Sequence, residues 1–253
     1  MDFDISHLLN QWEYQAGQVV ARRFKAKDGR EKIQLRLDLG LLQMNAEGRP
    51  DGKRPFGHAS IFEHYRARLQ KYVAAHDSSD EGFKLNVEDC TRLQLEALQY
   101  HHRYVCLLQL GDYAAVIRDA GRNLAVFDFV TKHAEHEEMA WSLQQFRPQL
   151  LMILTRARAA QALDTEDYAS AVREVEEGVE SIRTFFHEHA RAEAADTSGE
   201  VQSLQNWLEE IRARRPLSPK ERLERALSDA INSEDYERAA QVRDALRNLK
   251  PAE

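Results

Sequence analysis

The sequence predicts a mainly α fold: a helical bundle or a short tetratricopeptide-like solenoid, with an N-terminal β-hairpin and a C-terminal helical hairpin. Three observations predict it. Leu, Ala, Glu, Arg and Gln, all good helix formers, dominate the 253 residues. Glycine and proline are scarce, 11 and 6, too few for a sandwich or barrel built on tight turns. Apolar residues recur at helical spacing from about residue 86 onward and alternate in one early stretch only.

Residues 4–15 read as a short amphipathic helix, with Ile5, Leu8, Leu9 and Trp12 at helical spacing. From Ile33 to Leu41 every second residue is apolar, the pattern of a half-buried strand. Val20, Arg22 and Phe24 precede it, two apart. Asp28-Gly29 lies between the runs and signals a two-residue hairpin loop. In that register Phe24 faces Ile33 and Val20 faces Leu37, with a third strand around Gln43–Ala46. Gly48, Pro50, Gly52, Pro55 and Gly57 make the following segment irregular. A helix is expected from about Ala59 to His76, then a linker over Asp77–Gly82.

Beyond Asn86 the expected helices are 87–110, 112–134, 136–164, 166–191 and 200–214, with Pro148 set to start, kink or divide the third. Two corners look alike: Leu110-Gly111-Asp112-Tyr113-Ala114, and Asp164 to Ala169 with its Asp167-Tyr168-Ala169. The second resembles the turn of a tetratricopeptide repeat, although Val175 and Gly178 follow where that family has an aromatic and a small residue. A generic helical bundle fits the same pattern. Pro216 to Glu253 reads as a separate unit. Ser218, Pro219 and Glu221 together mark a helix start. Leu223, Leu227, Ala230 and Ile231 form one apolar stripe; Ser233 is the expected cap of a second helix. The organisation predicted is therefore residues 1–76, a helical body over 86–215, and a helical hairpin over 217–250.

The net charge of −7 argues against a surface that wraps nucleic acid throughout. The start of the chain carries acids and no apolar run, which predicts no secretory leader. Cys90 and Cys106 form no CxxC pair, and no apolar run reaches the ~18 residues of a membrane span. These features point to a cytoplasmic protein. The ten histidines show neither HExxH nor Glu-x-x-His spacing, so no metal site and no cofactor is expected. Gly48 to Arg54 resembles a phosphate loop only superficially, since it lacks the glycine spacing and the Ser or Thr after Lys53. No catalytic residue is expected. Residues 20–36 hold seven cations against two anions. On the hairpin register above, Arg23, Lys25 and Lys32 share an exposed face with Gln34; with Arg36 they are the candidate phosphate contacts. The same charges also fit an edge strand kept soluble, or an acidic protein partner.

The C-terminal residues carry the most specific likeness. Leu223-x3-Leu227, then Glu234-Asp235-Tyr236-Glu237-Arg238-Ala239-Ala240-x2-Arg243-Asp244-x-Leu246-x2-Leu249, resembles the UVR motif of the bacterial excision-repair proteins UvrB and UvrC. The motif also occurs in Clp-type ATPases and in the activator of a protein-arginine kinase. The resemblance implies protein–protein contact and no catalysis. With the apolar stripe, it makes Leu227, Ile231, Tyr236, Ala239, Ala240, Arg243 and Leu246 the candidate contact residues. The expected partner is another protein or a second copy of the chain. A hairpin of about 30 residues buries too little surface to be stable alone, so its stripe must dock, in cis or in trans. Function is thus expected to be that of a non-enzymatic adaptor, or alternatively of a DNA-repair or nucleic-acid accessory.

Overall fold

A computed structural model describes residues 4–216 and 219–248. Its first helix, α1 (Ser6–Asn10), is shorter than the 4–15 helix expected. Trp12 leaves the helix to serve the sheet. Its carbonyl accepts from Arg36 Nε at 2.7 Å, and its ring lies 4.2 Å from the Arg22 guanidinium.

Strands β1 (Val20–Lys25), β2 (Glu31–Leu37) and β3 (Gly40–Asn45) form an antiparallel sheet in chain order. The register differs from expectation by one residue. Phe24 lies opposite Lys32 and Val20 opposite Arg36, whereas Arg23 faces Ile33 and Ala21 faces Leu35. The loop is the cause. Gly29 N–H donates to the Ala26 carbonyl and Ala26 N–H to the Arg30 carbonyl, both at 2.9 Å, so three residues turn the chain, with Gly29 at φ +79°. The third loop residue slips the pairing by one and exchanges the faces of β1. The alternation from Ile33 to Leu41 also spans two strands: Leu37 pairs with Gly40, and Leu39 between them is 90% exposed. Ile33, Leu35 and Met44 line the buried face.

A 3-10 turn (Pro55–Gly57) leads to α2 (Ile61–Ala75), capped by Ser60, whose hydroxyl accepts from Glu63 N–H at 3.1 Å. The body comprises α3 (Val87–Gln109), α4 (Tyr113–His133), α5 (Glu137–Gln144), α6 (Arg147–Leu163), α7 (Tyr168–Glu188), α8 (Ala192–Ala195) and α9 (Gly199–Arg214). Pro148 divides the expected 136–164 helix and sits in the first turn of α6, where its missing N–H costs nothing. Helices pack as α3 on α4, α4 on α6, and α6 on α7. The last pair approaches closely because Gly178 faces Thr155; a Cβ at 178 would overlap the Thr155 hydroxyl and methyl. The chain divides into compact units Met1–Leu208 and Glu209–Glu253. The second contains α10 (Pro219–Asn232) and α11 (Tyr236–Asn248), packed on one another.

A charged cluster lies within the first unit. Arg103 and Asp119 are each 1% exposed and form a two-pronged pair at 2.6 and 2.9 Å. Arg103 also donates to the carbonyls of Asn45 and Gly48, at 3.0 and 2.7 Å. The Glu96 side chain has no exposed surface. It accepts from Ile61 N–H at 2.7 Å, Phe62 N–H at 3.1 Å, Arg49 Nε at 2.8 Å, and Arg122.

Two outcomes are expected. Arg103→Leu leaves the buried Asp119 only Arg118 Nε, at 3.0 Å, and removes a donor from the Asn45 and Gly48 carbonyls; it should cost about 3 kcal/mol in urea unfolding. Gly178→Ala should cost about 1–3 kcal/mol through overpacking, and Thr155→Ala in the same chain should recover most of the loss.

Candidate functional site

The α10–α11 hairpin is built on a corner that the body uses twice. At each corner a residue in the left-handed region precedes an Asp-Tyr pair: Gly111 at φ +73°, Glu166 at +57° and Glu234 at +58°. The aspartate N–H then reaches back five residues. Asp112 donates to Leu107, Asp167 to Ala162 and Asp235 to Ala230, at 3.0, 3.0 and 2.8 Å. The aspartate carboxylate caps the next helix, accepting from the N–H of Ala115, Ser170 and Arg238 at 3.2, 3.0 and 3.0 Å. Asp235 therefore caps α11. Ser233, the expected cap, instead donates its hydroxyl back to the carbonyls of Asp229 and Ala230. α10 begins at Pro219 as expected; the Ser218 cap and Leu249 lie outside the described residues.

The hairpin's own seam is made of small residues. Ala230 is 3% exposed and Ala239 9%. Leu223, Leu227, Ala240 and Leu246 are half-buried, while Arg243 is exposed and its guanidinium pairs with the neighbouring Asp244 at 3.1 Å. Ile231 and Tyr236 flank the turn and are 53% and 70% exposed. Of the seven candidate contact residues, Ala239 thus serves the seam, and Ile231, Tyr236 and Arg243 face outward.

The four candidate phosphate contacts do not form one face. Arg23 and Lys25 lie on the side of Ile33, and Lys32 and Gln34 on the other, because of the register slip. Arg23 pairs with Asp112 at the start of α4. Burial pushes the Asp112 carboxyl up, but hydrogen bonds from Arg23 and Ala115 N–H outweigh it and hold the group below the usual carboxylate range. Lys32 binds the Asn45 side chain. Arg36 is 7% exposed and donates to the carbonyls of Trp12, Asp38 and Gly40, a structural clamp on the turns around it.

The buried Glu96, Arg103 and Asp119, with the half-buried Arg122 beside Glu96, were not among the residues expected to matter. A signal existed in α3: Leu93, Glu96, Tyr100, Arg103 and Leu107 recur at three- and four-residue steps, which puts two charges on the core face. Equally unexpected is an apolar cavity of about 460 Å³ between α3 and α6, edged by the exposed Leu95, Leu98 and Phe146. Among the described residues no group of three His, Cys, Asp or Glu side chains is placed to hold a metal, and no described helix is long and apolar enough to cross a membrane.

With this geometry in view, the family model described as the UvrB/uvrC motif matches residues 219–250. The chain carries a UVR motif, and the motif is the α10–α11 hairpin. No curated protein and no solved structure matches the chain.

The cysteines are buried among core side chains. Burial pushes the Cys90 thiol up to about 11 and the Cys106 thiol up to about 12. Neither should react with a disulfide reagent in the native chain at about pH 8, and both should react once guanidinium unfolds it.

Proposed function

We propose that this chain is a non-enzymatic adaptor that engages another protein, or a second copy of itself, through the UVR hairpin. The observation that carries the reading is the exposure of Ile231 and Tyr236 beside the turn of a matched UVR motif. Large aromatic side chains of this kind are frequent anchors at interfaces, because they bury much area at low entropic cost. The small-residue seam of the hairpin supports the same reading. The buried residues among those described in the hairpin, Ala230 and Ala239, are small and bury little surface, so further burial has to come from elsewhere. Leu227, Ala240, Arg243 and Leu246 extend the contact surface away from the turn.

A second reading is a nucleic-acid accessory, in keeping with the excision-repair proteins for which the motif is described. Its support in the β-hairpin narrows to Lys25, Lys27 and Arg30, all exposed, because Arg23, Lys32 and Arg36 are engaged in the fold.

The adaptor reading is tested by capture of partners with the full chain as bait, and by sedimentation across a range of concentrations. Tyr236→Ala with Ile231→Ser should weaken a captured or self-associated complex by about 2 kcal/mol while leaving helical circular dichroism unchanged. Ala240→Glu should abolish binding by forcing a carboxylate into an apolar contact. A chain that stays monomeric, and whose captured partners are the same with and without these substitutions, would overturn the reading.

A further inference from the structure

We propose that the loop after β3 and the β1–β2 turn form a binding site for the phosphate backbone of single-stranded nucleic acid. The proposal deepens the second reading above and is independent of the hairpin. It starts from a cavity of about 600 Å³ whose lining includes Arg30, Glu31, Asn45, Glu47, Arg49, Lys53 and Arg54.

Each anion of this wall has an arginine partner, though one shared with a second carboxylate: Arg23 with Asp112, Arg118 with Asp119 and Arg49 with Glu96. Glu31 pairs with Arg23 at 3.7 Å, Glu47 with Arg118 at 2.8 Å, and nearby Asp51 with Arg49 at 2.6 Å. Lys53 and Arg54 are exposed and have no ion-pair partner among the described residues, and Arg30 reaches Asp28 only at 3.9 Å. The side-chain groups of this wall left without a close partner are donors. Asn45 spends its side-chain oxygen on Lys32, which leaves its amide nitrogen; that nitrogen fills the space a Cβ on Gly52 would need. The backbone N–H groups of Glu47, Gly48 and Arg49 have no acceptor among the described residues, and Gly48 holds φ +67°. A wall of free cations and spare N–H groups selects a ligand that is anionic and accepts hydrogen bonds, and a phosphate is both.

Two features select a strand over a free phosphate. Lys27 and Lys25 continue the charge from Arg30 back along the turn, and a row of cations suits a repeating anion. Phe56, two residues after Arg54, is 58% exposed although its ring stacks on His64 at 4.4 Å. It holds φ +51°, which is costly for a bulky residue and marks a position held against local preference. Phe56 follows the cations closely along the chain but lies outside the cavity lining, against His64 and Arg92, and an exposed aromatic with nearby cations supplies both parts of single-strand binding, base stacking and backbone contact. The loop lacks the glycine spacing and hydroxyl of a nucleotide-hydrolysing site, so the proposal includes no chemical step.

The experiment is fluorescence anisotropy of a labelled oligothymidine of about 12 nucleotides with the full chain at low salt. Binding should appear and fall steeply with salt. Lys53→Glu with Arg54→Glu should weaken it about tenfold or more and reduce the salt slope by about 0.7 for each phosphate no longer neutralised. Phe56→Ala should weaken it roughly tenfold with the slope unchanged. Lys71→Glu with Lys84→Glu, an equal change of charge elsewhere, should have little effect. Tyr236→Ala with Ile231→Ser should bind as the parent does, which separates this site from the hairpin. The proposal is overturned if the parent chain does not bind, if the loop variant binds normally, or if the control variant loses as much. It is also overturned if the hairpin variant loses binding, or if millimolar inorganic phosphate binds as tightly as the oligonucleotide.

Discussion

Glu96 has no solvent-exposed side-chain surface, and a carboxylate in that position is intolerable unless every lone pair finds a donor. The donors come from three places. Ile61 and Phe62 supply the open N–H groups at the start of α2, Arg49 comes from the loop after β3, and Arg122 from α4. Two turns along α3, the Arg103–Asp119 pair takes the carbonyls of Asn45 and Gly48. Helices α3 and α4 thus hold two irregular segments in place from within. Apolar side chains of the same volume would fill the space at least as stably, since buried ion pairs seldom gain net stability. What the charges supply is direction: a guanidinium that needs two carbonyls accepts one loop path. The loop so fixed is the one that carries Lys53, Arg54 and Phe56.

Much of the fold was legible in the sequence because it follows from local rules. The apolar period located α3, α4 and α7 to within a few residues, and Pro148 marked the break between α5 and α6. The UVR hairpin was legible because its motif is dense over a short span. The register of β1 was not, because Asp28-Gly29 serves a two-residue and a three-residue loop equally well. That single residue decides which face Arg23 and Lys32 occupy, so the expected basic face dissolved with it. Arg36 was misread for another reason. Alternation placed it opposite the apolar face, but nothing local shows that Trp12 and the 38–40 turn would close over it. The buried charges of α3 lay on the core stripe in plain view, yet their partners come from residues up to 58 positions away.

The recurrence of one corner connects the body to the hairpin. Three times a left-handed residue, a capping aspartate and a tyrosine reverse the chain between antiparallel helices, with the same backbone bond spanning five residues. Gly111 occupies the left-handed position at no steric cost, whereas Glu166 and Glu234 are strained there. The aspartate offsets part of that strain by satisfying an N–H that the helix start leaves open. The hairpin is therefore ordinary in construction, and its distinctive property has to be sought in what its side chains face.

The tyrosine that follows each cap supplies that comparison. Tyr113 and Tyr168 are half-buried, and Tyr113 packs against the main core of its unit. Tyr236 stands at the equivalent position and is 70% exposed. Backbone geometry does not account for the difference, since the three corners share it. Within the next turn the contrast continues on the inner side: Ala115 and Val116 enter the first unit's core, whereas the buried side chains among the described hairpin residues are the small Ala230 and Ala239. The same corner in the hairpin leaves most of a large amphipathic ring in water, short of the roughly 1.5–3 kcal/mol that full burial of a large apolar side chain contributes. A partner that covers Tyr236 and Ile231 recovers that free energy without rearranging the hairpin, because the cap and the seam already hold both side chains beside one turn.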